Sequence, residues 1–269
     1  MMTHNASKVI WITGASSGLG KSMALQLARQ GHRVIASARN EVALGELAAL
    51  DDNIVPLVCD ITDAKAMESL AERILELTAV LDQVILNAGT CEYLDFPEPD
   101  WSAVRRVMEV NFFGTVNCVQ VALPLLRLSC KHPHLVAIAS QVTAAPFPRA
   151  EAYGASKAAI HYFFDSLRMD LSAEDIDVTV VNPGFVDTPL TRRNDFSMPF
   201  LMPVDEAAER IIKNLKDRPR RYGFPLRLSA LLWISKVLPG LWQKMLTPKV
   251  EVTPGHSEPP SKSEQGADL

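Results

Sequence analysis

The chain has 269 residues, of which 48% are hydrophobic and 22% charged, a composition typical of soluble globular proteins. Its formal net charge of −4 gives no electrostatic reason to expect a nucleic acid partner. No apolar run reaches the roughly 18 residues of a membrane span, and the first residues lack the pattern of a signal peptide. We therefore expect a cytoplasmic protein.

The cysteines and histidines do not suggest a metal site or a disulfide framework. The four cysteines lie far apart, without C-x-x-C spacing, and we expect them to be buried, reduced thiols. The six histidines lack cysteine or carboxylate companions at metal-ligand spacing. The four cysteines are Cys59, Cys91, Cys118 and Cys130.

The first element is a short apolar run at 8–13, which predicts a strand covered on both faces. A glycine-rich turn follows at 14–20, and a pattern of helical period runs from 21 to 30. Glycines let the backbone approach a pyrophosphate closely, and the helix N-terminus offers N–H groups to the anion. The segment predicts dinucleotide binding, with a purely structural turn as the alternative.

A second buried strand is predicted at 33–37, followed by Ala38-Arg39. Folds that bind NAD place an acidic residue here to bind the ribose hydroxyls. Arg39 suits a 2′-phosphate instead, because guanidinium binds phosphate through charge-assisted hydrogen bonds. This position favours NADP(H) over NAD(H), although a solvated surface arginine is the alternative.

Asp60 follows a third predicted strand, at 54–59, after a helix at 41–50. It is placed to accept a hydrogen bond from an adenine amino group, or to cap the helix that begins near Asp63, for which Thr62 and Asp63 are also good N-cap residues. A fourth strand, at 81–86, leads into the small, polar turn Asn87-Ala88-Gly89. A cofactor could lie against that turn.

A long helix is predicted over 101–129, with Asn111 in its middle. Asparagine is a mediocre helix former, and its neighbours Val110, Phe112 and Phe113 are apolar. We therefore expect the Asn111 side chain to have a buried polar partner.

Tyr153 and Lys157 begin the helix predicted at 153–171, after a fifth strand at 135–139 that ends at Ser140. Residues four apart share a helix face, so the hydroxyl and the ammonium can point into one space. A phenol needs a neighbouring cation to lower its pKa before it serves as a neutral-pH acid or base. A chance pair on a solvated face is the alternative.

Strands at 177–181 and 221–224, with a helix at 204–217 between them, complete an alternating pattern. The pattern predicts an α/β fold, a Rossmann-type doubly wound parallel sheet of about seven strands with helices on both faces. Ligands bind such sheets outside the carboxyl ends of the strands, where the turns described above converge.

The ordered set of motifs resembles the short-chain dehydrogenase/reductase superfamily over residues 8–225. Each motif is weak alone, but the set is specific. The matching positions are Thr13-Gly14-x-x-x-Gly18-x-Gly20, Asn87-Ala88-Gly89, Asn111, Ser140, Tyr153-x-x-x-Lys157 and Pro183-Gly184.

The resemblance implies catalytic roles for four of these residues. Tyr153 would be the general acid in carbonyl reduction and the base in alcohol oxidation. Lys157 would lower the Tyr153 pKa and hold the nicotinamide ribose, and Ser140 would hydrogen-bond the substrate carbonyl. Asn111 would anchor a water that relays protons from Lys157.

The resemblance also implies an NADP(H) cofactor, a small carbonyl or alcohol substrate, and a homo-oligomer, dimer or tetramer. Thr188 would lie near the nicotinamide carboxamide. The implied cofactor contacts are Gly14, Ser16, Ser17, Gly18, Leu19, Gly20, Arg39, Asp60, Ile61, Asn87, Ala88, Gly89, Tyr153, Lys157, Pro183, Gly184, Val186 and Thr188.

Beyond a catalytic domain at 1–225, residues 226–246 form two apolar pieces with tryptophans and basic residues. We expect an amphipathic helical extension that packs as a lid or dimer contact, with a peripheral membrane anchor as the alternative. The composition of 247–269 predicts a disordered tail. Arg192-Arg193 could meet an anionic substrate, although solvation is favoured.

The leading hypothesis is thus an NADP(H)-dependent carbonyl reductase or alcohol dehydrogenase. The alternatives are a protein that senses NADP(H) or scaffolds a partner without turnover, and a membrane-associated interaction protein.

Overall fold

The computed structural model describes residues 7–247, so most of the predicted tail at 247–269 lies outside the described residues. The strands are β1 Val9–Thr13, β2 Arg33–Ala38, β3 Ile54–Val58, β4 Gln83–Leu86, β5 His134–Ile138, β6 Asp177–Pro183 and β7 Arg221–Phe224. The helices are α1 Gly18–Arg29, α2 Glu41–Ala48, α3 Ala64–Leu77, α4 Ser102–Met108, α5 Gly114–Leu126, α6 Glu151–Leu171, α7 Val204–Asn214, α8 Leu226–Val237 and α9 Pro239–Leu246.

The seven strands form one parallel sheet in the order β3-β2-β1-β4-β5-β6-β7. This confirms the predicted doubly wound fold, and the strand order reverses between β1 and β4. Both faces of the sheet are covered, because apolar residues form one buried cluster with α1 and α7 and another with α3, α5 and α6. The predicted strands are all present, with ends that shift by one or two residues.

The predicted helix at 101–129 is continuous but contains a π-helical segment, Glu109–Phe113, between α4 and α5. A π-helix adds one residue to a turn and often marks a functional site. Here it rotates the chain at Asn111, which is fully buried.

Two local expectations need correction. Cys59 and Cys118 are buried, but Cys91 is half-buried and Cys130 is exposed, on the loop after α5. All four are free thiols. The cap of α3 is Asp63, whose carboxylate accepts hydrogen bonds from the Lys65 and Ala66 N–H groups, and not Asp60.

The extension forms α8 and α9, which are separated at Leu238. We call these two helices the C-terminal hairpin. Within residues 7–247, none of the helices combines the length and the apolarity that a membrane span requires.

Candidate active site

A cleft of about 590 Å³ lies along the carboxyl edge of the sheet. All of the implied cofactor contacts except Gly20 line it, Tyr153 and Lys157 included. Gly20 lies behind the cleft, against the Gly14 carbonyl and the Asn87 side chain. Residues outside the implied cofactor contacts also line it: Ser37, Ala38, Asn40, Cys59, Thr90, Val110, Ile138, Ala139, Pro189, Leu190, Thr191 and Arg193.

The glycine-rich turn between β1 and α1 forms one end of the cleft. Gly14 has a φ of +65°, and a Cβ there would lie 2.7 Å from Ala88 Cα, so only glycine fits. Ser17 precedes α1 and its side chain makes no capping hydrogen bond. The first N–H groups of α1 therefore keep their capacity to bind an anion.

Thr13 fixes the position of the Asn87-Ala88-Gly89 turn relative to β1. Its hydroxyl oxygen accepts hydrogen bonds from the Asn87 N–H at 3.0 Å and the Ala88 N–H at 3.1 Å. Asn87 Nδ2 donates to the Thr13 carbonyl at 3.1 Å. In the sequence Thr13 is only one member of the glycine-rich motif, and the one signal of its structural role is that a polar residue ends a buried strand.

Asn111 links the turn after β4 to α6. Its Oδ1 accepts from the Thr90 N–H at 2.7 Å, and its Nδ2 donates to the Thr90 carbonyl and to Ser156 Oγ, both at 2.9 Å. Ser156 in turn donates to the Tyr153 carbonyl. The buried polar partner expected for Asn111 is thus present, and the side chain holds Thr90 and α6 in register.

Lys157 and Tyr153 share one face of α6, as their spacing predicts. Lys157 is 5% exposed, and its Nζ donates to the Ile138 carbonyl at 2.9 Å and lies 5.8 Å from the centre of the Tyr153 ring. A Cβ on Gly89 would lie 3.4 Å from that Nζ, so the turn after β4 closes over the ammonium.

Burial sets the acidity of both groups. Burial raises the pKa of the half-buried Tyr153 to about 12, although its hydrogen bond with Ser140 opposes the rise. Burial lowers the pKa of Lys157 to about 8, while the nearby Cys91 raises it. The shift of the Tyr153 pKa is opposite to the expected one, because burial of the phenol outweighs its hydrogen bond with Ser140.

Ser140 is the second residue after β5, and its Oγ accepts a hydrogen bond from the Val142 N–H at 3.1 Å. That bond uses a lone pair and leaves the hydroxyl proton available to a further acceptor. Since Ser140 also contacts Tyr153, the two hydroxyls share one region at the edge of the cleft.

Arg39 and Asp60 lie at the other end of the cleft, after β2 and β3. Arg39 is mostly exposed and 3.9 Å from the Asp60 carboxylate, a separation at which an exposed ion pair contributes little. Asp60 Oδ1 accepts hydrogen bonds from the Thr62 N–H and hydroxyl, which shapes the turn before α3. The guanidinium is therefore accessible to an anion in the cleft.

Thr191, which sequence reasoning missed, shapes the turn after β6. Its Oγ1 donates to the Val186 carbonyl and accepts from the Thr188 N–H at 3.0 Å, which holds Thr188 at the cleft wall. Arg192 forms an exposed ion pair with Asp187 at 2.8 Å. The Arg192 side chain is 69% exposed, in agreement with the expected solvation, whereas Arg193 lines the cleft.

Arg149 joins the two loops that follow β4 and β6. Its guanidinium pairs with Asp95 at 2.6 Å and with Asp195 at 2.8 Å, and it lies 5.2 Å from the centre of the Tyr93 ring. The Tyr93 hydroxyl donates to Asn194 Oδ1 at 2.7 Å. One arginine thus sets the separation of these loops.

Comparison with known proteins identifies the family of the chain. The family model "short chain dehydrogenase" matches residues 8–197. An uncharacterized oxidoreductase of Myxococcus xanthus is 36% identical over 248 residues, which cover 88% of this chain and 95% of that protein. The 11-beta-hydroxysteroid dehydrogenase A of Sesamum indicum is 36% identical over 70% of this chain. That match covers 55% of the length of the relative, so the chain spans about half of it.

A solved structure is also similar. The short chain dehydrogenase of Burkholderia cenocepacia in complex with NADP has a TM-score of 0.78 and 25% identity, and the match covers 90% of this chain and 98% of that one. The fold, the family model and the relatives agree: the chain belongs to the short-chain dehydrogenase family, and it is an oxidoreductase.

Proposed function

We propose that the protein is an NADP(H)-dependent oxidoreductase that interconverts a carbonyl and an alcohol, with Tyr153 as general acid and base. The proposal rests on one observation: the side chains of Ser140, Tyr153 and Lys157 lie close together at one edge of the cleft of about 590 Å³. A cofactor bound in that cleft supplies the hydride.

The residues of the cleft fit a dinucleotide phosphate. The uncapped N-terminus of α1 offers N–H donors to a pyrophosphate. Arg39 stands where NAD-specific proteins carry a carboxylate, and its exposed fork suits a 2′-phosphate. These features support a preference for NADP(H) over NAD(H).

For carbonyl reduction, the raised pKa of Tyr153 keeps the phenol protonated at neutral pH, which a proton donor requires. The free proton of Ser140 Oγ hydrogen-bonds the same carbonyl oxygen and stabilises negative charge as it develops. Lys157 uses one of its three N–H donors on the Ile138 carbonyl, which leaves two for ribose hydroxyls. Asn111 acts as a positioning residue through Thr90 and Ser156.

The loops around Tyr153 carry mainly apolar and aromatic side chains. Half-buried Cys91 and Tyr93, on the loop after β4, interact electrostatically with the Tyr153 phenol and so lie close to it. Half-buried Phe147 and Phe185, on the loops after β5 and β6, pack against the apolar cluster of α8 and α9. These apolar surroundings support an apolar ketone or aldehyde as the substrate class.

The test measures NADPH consumption across ketones, aldehydes, quinones and ketosteroids. Tyr153→Phe should lower turnover at least about 100-fold, because a general acid contributes roughly that much. It should still bind NADPH, since the ring remains. Tyr162→Phe is the matched control, because Tyr162 lies on the same helix and is 80% exposed. Equal turnover by Tyr153→Phe and the wild type would refute the role of the phenol.

Cofactor preference has a separate test. Arg39→Asp should weaken NADPH binding by about tenfold to a hundredfold, the range of a hydrogen bond to a charged group, and should weaken NADH binding less. Equal loss for both cofactors would show that Arg39 does not bind the 2′-phosphate.

A further inference from the structure

The C-terminal hairpin presents a large apolar surface to solvent. The exposed fraction is 77% for Leu226, 62% for Trp233 and 50% for Val237. Its other exposed apolar residues are Leu231, Ile234, Leu238, Leu241 and Met245. We call this set the outer face. Contiguous exposed apolar patches on a soluble domain mark interaction sites.

The opposite side of the hairpin already has a partner. Leu228, Leu232 and Trp242 are buried against Ala145, and Trp242 Nε1 donates to the Pro146 carbonyl at 2.9 Å. The hairpin therefore packs on the loop after Ser140, as a lid would. Because α8 is apolar on both sides, packing against its own domain explains only one of them.

All of the charged side chains in the C-terminal segment 218–250 are basic. Residues 218–250 contain seven of the chain's 27 lysines and arginines and none of its 31 acidic residues. On the hairpin, Arg227, Lys236 and Lys244 are exposed. None of these three side chains forms an ion pair with another residue of 7–247. The surface is therefore apolar with a basic margin, while the rest of the chain carries all of the negative charge.

The apolar surface and its basic margin distinguish between two candidate occupants, a second copy of this chain and an anionic lipid surface. A symmetric contact between two copies would place the same patch on both sides, so three cations would face three cations without a carboxylate to pair with them. Anionic lipid headgroups complement that charge, and the acyl boundary accepts the apolar residues. Trp233 is of the residue type enriched at the headgroup level.

We propose that the outer face of the C-terminal hairpin docks on the surface of an anionic lipid bilayer, without crossing it. The apolar side chains enter the acyl boundary, and Arg227, Lys236 and Lys244 contact the headgroups. The acidic remainder of the protein is repelled by the same surface, so the attachment has a fixed orientation.

The test is co-sedimentation of the full chain with vesicles. At low salt we expect binding to vesicles of phosphatidylcholine with phosphatidylserine, weaker binding to phosphatidylcholine alone, and loss of the difference at high salt. Lys236→Gln with Lys244→Gln should reduce partition by about fivefold for each charge removed. Trp233→Ser with Val237→Ser should reduce it on both lipid compositions.

Matched controls separate the face from general effects. Lys213→Gln removes an exposed lysine on α7, and Trp101→Ser removes a tryptophan that is 65% exposed elsewhere on the surface. Both should bind vesicles as the wild type does, and NADPH binding shows that every variant is folded. Absence of wild-type binding at low salt, or equal loss in the controls, would overturn the proposal. So would a fall in oligomer mass for the Trp233 variant without any vesicle binding, since that result assigns the face to a second copy.

Discussion

Acidification should destabilise the fold through His134, which is 2% exposed at the start of β5. Thr179 Oγ1 donates its only proton to the Pro219 carbonyl at 2.6 Å, so it accepts from His134 Nε2 at 2.9 Å. Nδ1, 3.2 Å from Gln83 Nε2, is then the acceptor, and the ring is neutral. A second ring proton would face the Gln83 N–H₂ group.

The magnitude follows from the pKa. Burial, with a smaller effect of Arg218, lowers the pKa of His134 from 6.5 to about 3. Between these values the unfolded chain binds a proton that the folded protein does not, so the free energy of unfolding falls as the pH falls below 6.5. Each pH unit well below 6.5 costs about 1.4 kcal/mol. Because the imidazole of the unfolded chain is already half protonated at pH 6.5, the loss from there to about pH 4.5 is about 2 kcal/mol.

The assay is urea unfolding followed by circular dichroism at several pH values from about 7 to about 4.5. His134→Gln should lower stability at neutral pH but flatten its dependence on pH. His132→Asn is the control, because His132 is exposed and asparagine tolerates its φ of 52°. Parallel curves for the wild type and His134→Gln would refute the argument, because the acid sensitivity would then come from other groups.

Three further predictions concern the link between Asn111 and Lys157. Asn111→Ala leaves the Thr90 backbone and the Ser156 hydroxyl without partners, and urea unfolding should show a loss of about 2–5 kcal/mol; an unchanged midpoint would contradict this. Gly89→Ala places a Cβ 3.2 Å from Asn111 Oδ1 and 3.4 Å from Lys157 Nζ. Because these two side chains must then shift slightly, kcat/KM in steady-state assays should fall about tenfold while NADPH still binds. The pKa of Lys157, about 8, predicts that kcat/KM for reduction falls above that pH as the ammonium is lost, and a flat profile up to pH 10 would argue against a role for its charge.

The sequence predicted the sheet well because buried parallel strands are short apolar runs that end in polar turns. The proximity of Ser140, Tyr153 and Lys157 also follows from the sequence, because it depends on helical spacing and on the carboxyl edge of the sheet, while their catalytic roles stay a prediction. It did not predict the π-helical segment at Glu109–Phe113. That segment accompanies contacts of Asn111 with Thr90 and Ser156, which are 21 and 45 residues away, so no local pattern reports it.

Other errors have the same origin. Cys130 is exposed because it lies on a loop, which its apolar character alone does not reveal. The direction of the Tyr153 pKa shift depends on how deeply α6 packs, and residue spacing carries no information on burial. Arg149 pairs with Asp95 and Asp195, which lie 54 and 46 residues away along the chain, so no local pattern distinguishes it from a solvated surface arginine.

The contacts of Arg149 have a consequence for how substrate preference can change. A substitution in the loop that carries Tyr93 and Asp95 alters a constraint on the loop that carries Asp195, because one guanidinium serves both. Effects of changes in the two loops should therefore be non-additive. Evolution toward a new substrate would favour paired substitutions across these loops, or the prior loss of Arg149, over independent changes collected one at a time.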